Sequence, residues 1–392
     1  MSTSVQPQQP CHIDRLPAET IHNILGHLAF PAPLHRLSPA QFGERQSDLL
    51  AVCLVSKRLK SACQPMLWDQ VEAATVERWR WFTGEVEAPA SRARACRALR
   101  VGSAEDGVVL SKVDFGGARL PGLEELVLHP IGVVSLPDIS CVANLRLLTL
   151  NASNSALSAT DGAVLPRLEA LQLRSIIFFK TGYSPSFFSS RCLPRLRHLS
   201  LEGCTTMGLS DAPTIFPLDF VRQLDSIQLH IFDFAALRQG ILPHNDLAPV
   251  LWRVDLVQGF GGEPNTAAPF ALCVAHLIVE VSAYVLASLG PDADDDSPDW
   301  STILVGALEP RSALPDLRLL LLPRPLWSSP HGATRTFKRK KKAVVADCAR
   351  RGIEIRTYEP ARALEGGIVV PEFLEYRREQ RATAAAASAA QR

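Results

Sequence analysis

A nine-residue word, L-P-x-L-x-x-L-x-L, recurs along this chain and constrains its fold more than any other feature. It stands as LPGLEELVL (120–128), LPRLEALQL (165–173), LPRLRHLSL (193–201) and LPDLRLLLL (314–322). Weaker copies lie between them: VANLRLLTL (142–150), VRQLDSIQL (221–229), APVLWRVDL (248–256) and VAHLIV (274–279). The last apolar residues of the first seven words fall at 128, 150, 173, 201, 229, 256 and 279, at intervals of 22, 23, 28, 28, 27 and 23. A unit of that length cannot bury its own apolar face, so successive copies must stack and share one core. Alternation at the end of each word is the period of a strand, with every second side chain turned inward.

The spacing lies almost wholly in the range of about 20 to 29 residues that marks leucine-rich repeats. CRALRV, ending at Val101, lies 27 residues before Leu128 and supplies an earlier strand, while GIEIRTY near Ile355 closes the stack. The repeat region resembles the leucine-rich-repeat class, with Cys204 in LRHLSLEGCTT at the position where the longer signature has Asn or Cys. The expected fold is an α/β solenoid: an irregular arc of parallel strands over residues 76–358, behind a small helical unit that makes the whole chain α+β. The competing reading is an ordinary α/β domain with helices on both faces of a leucine-rich sheet.

In an arc, the polar residues that alternate with the leucines line the concave face. These are Thr149, Asn151, Gln172, Arg174, His198, Ser200, Glu202, Gln228, His230, Arg253 and Asp255. A row of polar side chains of both signs suits a protein surface better than a small ligand. The plain alternative for each is a solvated sheet face.

Ahead of the repeats, IDRLPAETIHNILGHL (13–28) places Ile21, Ile24, Leu25 and Leu28 on one helical face. Pro17 suits a first turn, and Glu19 complements the positive helix end. After a proline-rich link, Asp48 is positioned to cap a helix carrying Leu49, Leu50, Cys53 and Leu54. Ser56 is positioned to cap a third carrying Leu59, Ala62 and Cys63, which Pro65 should end. Three sub-motifs, LPAETI (16–21), LVSKRLK (54–60) and PMLW (65–68), stand in the order found in the F-box. Residues 12–75 therefore resemble that family, and the whole chain resembles its leucine-rich-repeat class.

The resemblance implies that the front unit binds a Skp-type adaptor, and through it a cullin scaffold of a ubiquitin ligase. It carries the adaptor contact onto Leu16, Pro17, Ile21, Ile24, Leu25, Leu54, Val55, Lys57, Leu59, Leu67 and Trp68. The implied function is that of a non-catalytic substrate receptor whose repeats bind an unidentified protein target. A unit of this size buries too little apolar surface to be comfortable alone, so a partner is expected in any case. The alternative is a repeat scaffold with a helical cap and no connection to ubiquitin transfer.

Composition fits these expectations. Lys plus Arg at 41 against Asp plus Glu at 40 gives a net charge of +1, so no global field favours nucleic acid or an anionic membrane. Nine cysteines occur singly, which suits a reducing compartment, cytoplasmic or nuclear, better than a disulfide framework or a metal site. MSTSVQPQQP, within a leader at 1–11 expected to be disordered, lacks the basic start and apolar run of a signal peptide, and no apolar run is long enough to span a membrane.

Other signals are weaker. FKRKKKA (337–343) is the sharpest basic run, readable as a nuclear-import address or as an exposed helix face; no stacking platform accompanies it for nucleic acid. PDADDDSPD (291–299) has Ser297 and Ile303 where a calcium-binding loop starting at Asp292 requires Gly and Glu, and reads as an acidic insertion. GFGGEP (259–264) lacks the final glycine of a phosphate loop, and RWRW (78–81) fits packing of the front unit onto the repeats. No spacing supports a metal, a cofactor or a catalytic constellation. The tail, 359–392, shows no core-forming period in its last dozen residues and is expected to fray.

Overall fold

The computed structural model describes residues 16–28, 37, 39–87, 95–103, 108–109, 120–135, 139–159, 164–183, 188–207, 216–230, 250–255, 275–281, 285, 299–308, 316–328, 334–360 and 368–390. The polar leader, the GFGGEP segment and nearly all of the acidic insertion lie outside these residues.

Three helices come first: α1 (Ala18–Leu28), α2 (Pro39–Val55) and α3 (Lys57–Asp69). Ile21 and Leu25 of α1 meet Leu59 and Cys63 of α3 in a small core of their own, with Leu16, Val52, Cys53 and Met66 packed around it. Ser56 caps α3 as its sequence position predicts, its hydroxyl accepting from the Leu59 amide at 3.2 Å. Two expectations need correction. The second helix starts at Pro39 rather than after Asp48, which is an exposed interior residue, so part of the proline-rich link is helical. The third runs through Pro65 to Asp69. Proline there removes one helical hydrogen bond, but half-buried Met66, Leu67 and Trp68 follow it, and Trp68 packs against the main core.

The strands, in chain order, are β1 (Gln70–Ala73), β2 (Ala98–Val101), the two-residue β3 (Val108–Val109), β4 (Glu125–Leu128), the short β5 (Pro130–Ile131) and β6 (Val133–Ser135), β7 (Leu147–Ala159), β8 (Ala170–Tyr183), β9 (His198–Glu202), β10 (Thr205–Met207), β11 (Ser226–His230), β12 (Val250–Asp255), β13 (His276–Glu280), β14 (Leu319–Pro323) and β15 (Glu354–Tyr358). Eleven of them form one continuous parallel path, β1-β2-β4-β7-β8-β9-β11-β12-β13-β14-β15. Along this path the strands follow chain order. A doubly wound α/β sheet reverses its order at a switch point, whereas stacked repeats do not. The topology is thus consistent with a leucine-rich-repeat-like solenoid.

Register explains the regularity of the first five words and corrects the frame of the later ones: Leu229 pairs with Trp252 rather than Leu256, Trp252 with Leu277 rather than Val279, and Leu277 with Leu320 rather than Leu322. One ladder runs from Val101 through Leu128, Leu150, Leu173, Leu201, Leu229, Trp252, Leu277 and Leu320 to Ile355. A one-residue slip in any strand would turn its leucines to the other face, so burial fixes the alignment. All but Ile355, which packs against them half-buried, are buried in one extended core. Helices α4 (Val76–Glu87), α5 (Leu218–Gln223), α6 (Trp300–Ala307), α7 (Arg324–Trp327) and α8 (Arg335–Arg351) send Trp79, Phe82, Phe220, Leu304, Leu326 and Val344 into that core. Phe220 belongs to an aromatic group with Phe188 and Phe216, whose rings meet edge-on at 4.6 Å. Gly352 ends α8 at φ 69°, a left-handed conformation that lets the Ile353 amide return to the Cys348 carbonyl at 2.8 Å.

The opposite, inner face of the sheet is not bare. Helix α9 (Pro371–Ala390) lies against it, and Val370, Phe373 and Tyr376 form a second core with Leu251, Ile278, Leu319, Leu321 and Tyr358. Residues 370–376 of the tail expected to fray are thus seated on the sheet. From Arg378 to Ala389 every side chain of α9 is exposed, as the absence of an apolar period predicts.

Candidate functional site

Two faces qualify for interaction. The first is on the front helices. Of the eleven residues that the F-box resemblance singles out, Ile21, Leu25 and Leu59 are buried, and Leu16, Leu67 and Trp68 are half-buried. Pro17, Ile24, Leu54, Val55 and Lys57 are exposed. Leu54 is 87% exposed, Val55 54% and Ile24 48%, while Leu50, one turn before Leu54, is 54% exposed. The stripe on α1 therefore divides between the helical core and solvent: Ile21 and Leu25 turn inward, Ile24 outward, and the side chain of Leu28 lies outside the described residues.

Beside this patch is a groove of about 590 Å³ between α2, α3, β1 and α4, walled by Leu50, Cys53, Leu67, Val71, Trp68 and Trp81. The two indoles stack with centroids 5.8 Å apart and planes 21° from parallel. Within RWRW, Trp79 is buried in the main core, as expected, but Trp81 is 58% exposed on the groove wall.

The second face is the inner surface of the sheet. Its main ladder runs Arg100, Val127, Thr149, Gln172, Ser200, Gln228 and Leu251. Thr149, Gln172, Ser200, Gln228 and Arg253, all expected on an open concave surface, are buried. Asn151, Arg174, His198 and Glu202 are half-buried. The side chains of His230 and Asp255 lie outside the described residues, though both backbones belong to strands.

Chain segments close this face from both ends. At the first strands, Phe42 of α2 packs on Ala98 beside Leu37, and the Arg100 guanidinium donates to the Leu37 carbonyl and pairs with Glu72 at 3.5 Å. At the last strands, Phe373 and Tyr376 flank the His276 ring, with centroids at 5.2 and 5.5 Å. Gln228 donates from Nε2 to the Ile368 carbonyl at 2.5 Å. Arg381 pairs with Asp225 at 2.9 Å, and Arg356 pairs with Glu379.

Between these ends charges alternate across strands. Arg174 Nε lies 3.0 Å from Glu202 Oε2, Arg253 lies 3.8 Å from the same carboxylate, and Arg253 Nε donates to Glu280 Oε1 at 2.8 Å. Burial opposes the charge on Arg253, but Glu280 and Glu202 outweigh it and raise its pKa. Gln172, with its amide oxygen turned toward Arg174, accepts from Nε and Nη2, both at 3.1 Å. Burial lowers the pKa of His276 to about 4, against a bond to the Val250 carbonyl that raises it; Arg377 and Arg318 lower it further. His129 is also held at about 4, by burial and by Arg100 and Arg174.

Sequence reasoning missed both closing segments. Val370, Phe373 and Tyr376 stand three residues apart, a weak helical signal in a tail otherwise rich in Ala, Arg and Glu. Phe42 and Leu37 fall in what reads as a proline-rich link. Among the described residues, no three His, Cys, Asp or Glu side chains are grouped to hold a metal, and no helix is long and apolar enough to cross a membrane.

No protein-family profile matches the sequence, and no curated protein is similar to it. Among solved structures, an internalin from Listeria monocytogenes is similar over 54% of this chain at 16% identity, with a TM-score of 0.24. The similar part spans 57% of the internalin chain.

Proposed function

We propose that this chain is a non-catalytic substrate-recognition subunit of a cullin-type ubiquitin ligase, its front helices binding a Skp-type adaptor and its sheet binding a protein target. The observation that carries the reading is the apolar surface of Ile24, Leu54 and Val55, exposed on helices whose small core is already complete with Ile21, Leu25, Leu59 and Cys63. Large aliphatic side chains left exposed on a unit this small support an interface. Leu54 and Val55 open the LVSKRLK motif and Ile24 lies in the apolar helix that follows LPAETI, positions that the F-box resemblance assigns to the adaptor.

In this role catalysis is positional. Holding an acceptor lysine near a thioester raises its effective concentration without an acid, base or nucleophile from this chain. The test is co-purification with a Skp-type adaptor, comparing wild type with Ile24→Asp/Leu54→Asp. Both substituted side chains are solvent-facing, so the variant stays folded and loses the adaptor. Equal recovery of adaptor by both proteins, or by neither, rejects the ligase role and leaves a protein-interaction scaffold with a helical cap.

A further inference from the structure

The inner face changes character along the sheet. Over β7 to β11 its ladder is polar, with Thr149, Gln172, Ser200 and Gln228; over β12 to β14 the aliphatic Leu251, Ile278, Leu319 and Leu321 join it, beside Arg253 and His276. A repeat protein needs its leucines only on the core side, so four large aliphatic residues on the other side require an occupant. The C-terminal segment is that occupant. It presents Phe373 and Tyr376 to the apolar end and its Ile368 carbonyl to Gln228. Its C-terminal end is fixed by charge: Glu379 to Arg356, and Arg381 to Asp225.

This cluster is separate from the main core. The extended cluster on the other face contains none of its eight residues, so the leucine ladder does not depend on α9 for burial. Beyond Arg381 the described side chains of the alanine-rich helix end are all exposed. The segment is therefore held as a bound ligand is, by two aromatic anchors, one backbone carbonyl and two ion pairs.

We infer that residues 368–381 are a built-in stand-in for the target, occupying its site until displaced, and that the target segment is a helix presenting two aromatic side chains three residues apart with an acidic residue one turn on. This rests on the reading that the sheet binds a protein target. The apolar seat recognises the aromatic pair, as helix-in-groove partners are read by anchors at i and i+3. Arg356 recognises the acidic residue. A target must outcompete a tethered copy of its own chemistry, so apparent affinity falls by the fraction of chains in which the seat is open.

The experiment uses the full chain and a fluorescein-labelled synthetic peptide with the sequence of residues 368–390. Peptide binding is read by anisotropy for wild type, for Phe373→Ala/Tyr376→Ala, and for Arg381→Glu, which loosens the helix without touching the buried anchors. The expected result is binding to the double variant at least about tenfold tighter than to wild type, with Arg381→Glu between them. A peptide carrying Ala at both aromatic positions binds none of the three. Equal binding to all three proteins, no binding to the double variant, or loss of its leucine-ladder fold makes the helix a fixed cap and overturns the inference. No adaptor is present in this assay, so its outcome is independent of the co-purification that tests the ligase reading.

Discussion

Gln228 donates to the carbonyl of Ile368 at 2.5 Å, joining residues 140 positions apart on the inner face of the sheet. Both residues are buried, at 1% and 2% exposure, so while the segment is seated an unpaired partner has no water to turn to. Gln228→Leu should therefore lower stability by about 1–3 kcal/mol, the desolvation cost of an unpaired buried carbonyl. The urea midpoint falls while the slope of the transition is unchanged, because no additional surface is exposed.

What was legible in the sequence follows from periodicity. The leucine ladder was readable as far as Leu229 because a strand buried on one face repeats its apolar residues every second position, and stacking repeats that pattern from one unit to the next. The division of the front stripe was not readable. Ile21 and Ile24 have the same chemistry, and only the approach of α3 through Leu59 and Cys63 decides which is covered. The closing of the inner face was hidden for a similar reason. Thr149, Gln172 and Ser200 look like solvated residues in isolation, and their burial depends on packing that local pattern does not encode. Phe373 and Tyr376 carried a signal too short to distinguish a docked helix from a frayed one.

The exposed patch and the small core beneath it should separate cleanly under mutation. Ile24→Asp and Leu54→Asp lie on solvent-facing positions and should change stability by no more than about 0.5 kcal/mol. Leu25→Ala, at a fully buried position in the same unit, should cost about 2–5 kcal/mol. Chemical denaturation followed by helical circular dichroism resolves the two classes, and comparable losses would show that the patch is covered.

Acid should weaken the fold through one buried imidazole, His276, and one half-buried, His129. His276 and His129 each stay neutral in the folded chain down to about pH 4, whereas in the unfolded chain each takes up a proton near its ordinary value of 6.5. Their contribution is intact above that value and is lost as pH falls from about 6.5 toward about 4, by up to about 1.4 kcal/mol per pH unit for each. Below that window both states carry the protons and the loss stops growing. Thermal midpoints measured between pH 7 and pH 4.5 should fall less steeply for His276→Gln than for wild type.

The basic run on α8 holds a structural lysine, Lys341, and the solvated Lys338, Arg339 and Lys342. Lys341 Nζ donates to the Trp327 carbonyl at 2.5 Å and lies 4.8 Å from the centre of the Trp327 ring, and partial burial lowers its pKa. Lys338, Arg339 and Lys342 are exposed on the same helix, whereas Phe337 and Val344 are buried beneath it. Lys341→Met should therefore cost about 1–2 kcal/mol, because it removes a charge-assisted hydrogen bond and a cation–π interaction together. Lys338→Met and Lys342→Met should stay within about 0.5 kcal/mol. The contrast separates packing from charge, because all three substitutions remove the same unit charge from the same helix. A partner that reads this run as an extended peptide must first pull Phe337 and Val344 out of the main core, so Lys341→Met should ease such recognition even as it removes a positive charge. Affinity for an acidic probe peptide, compared across the three variants, reads that difference: if the helix stays folded, all three weaken binding alike.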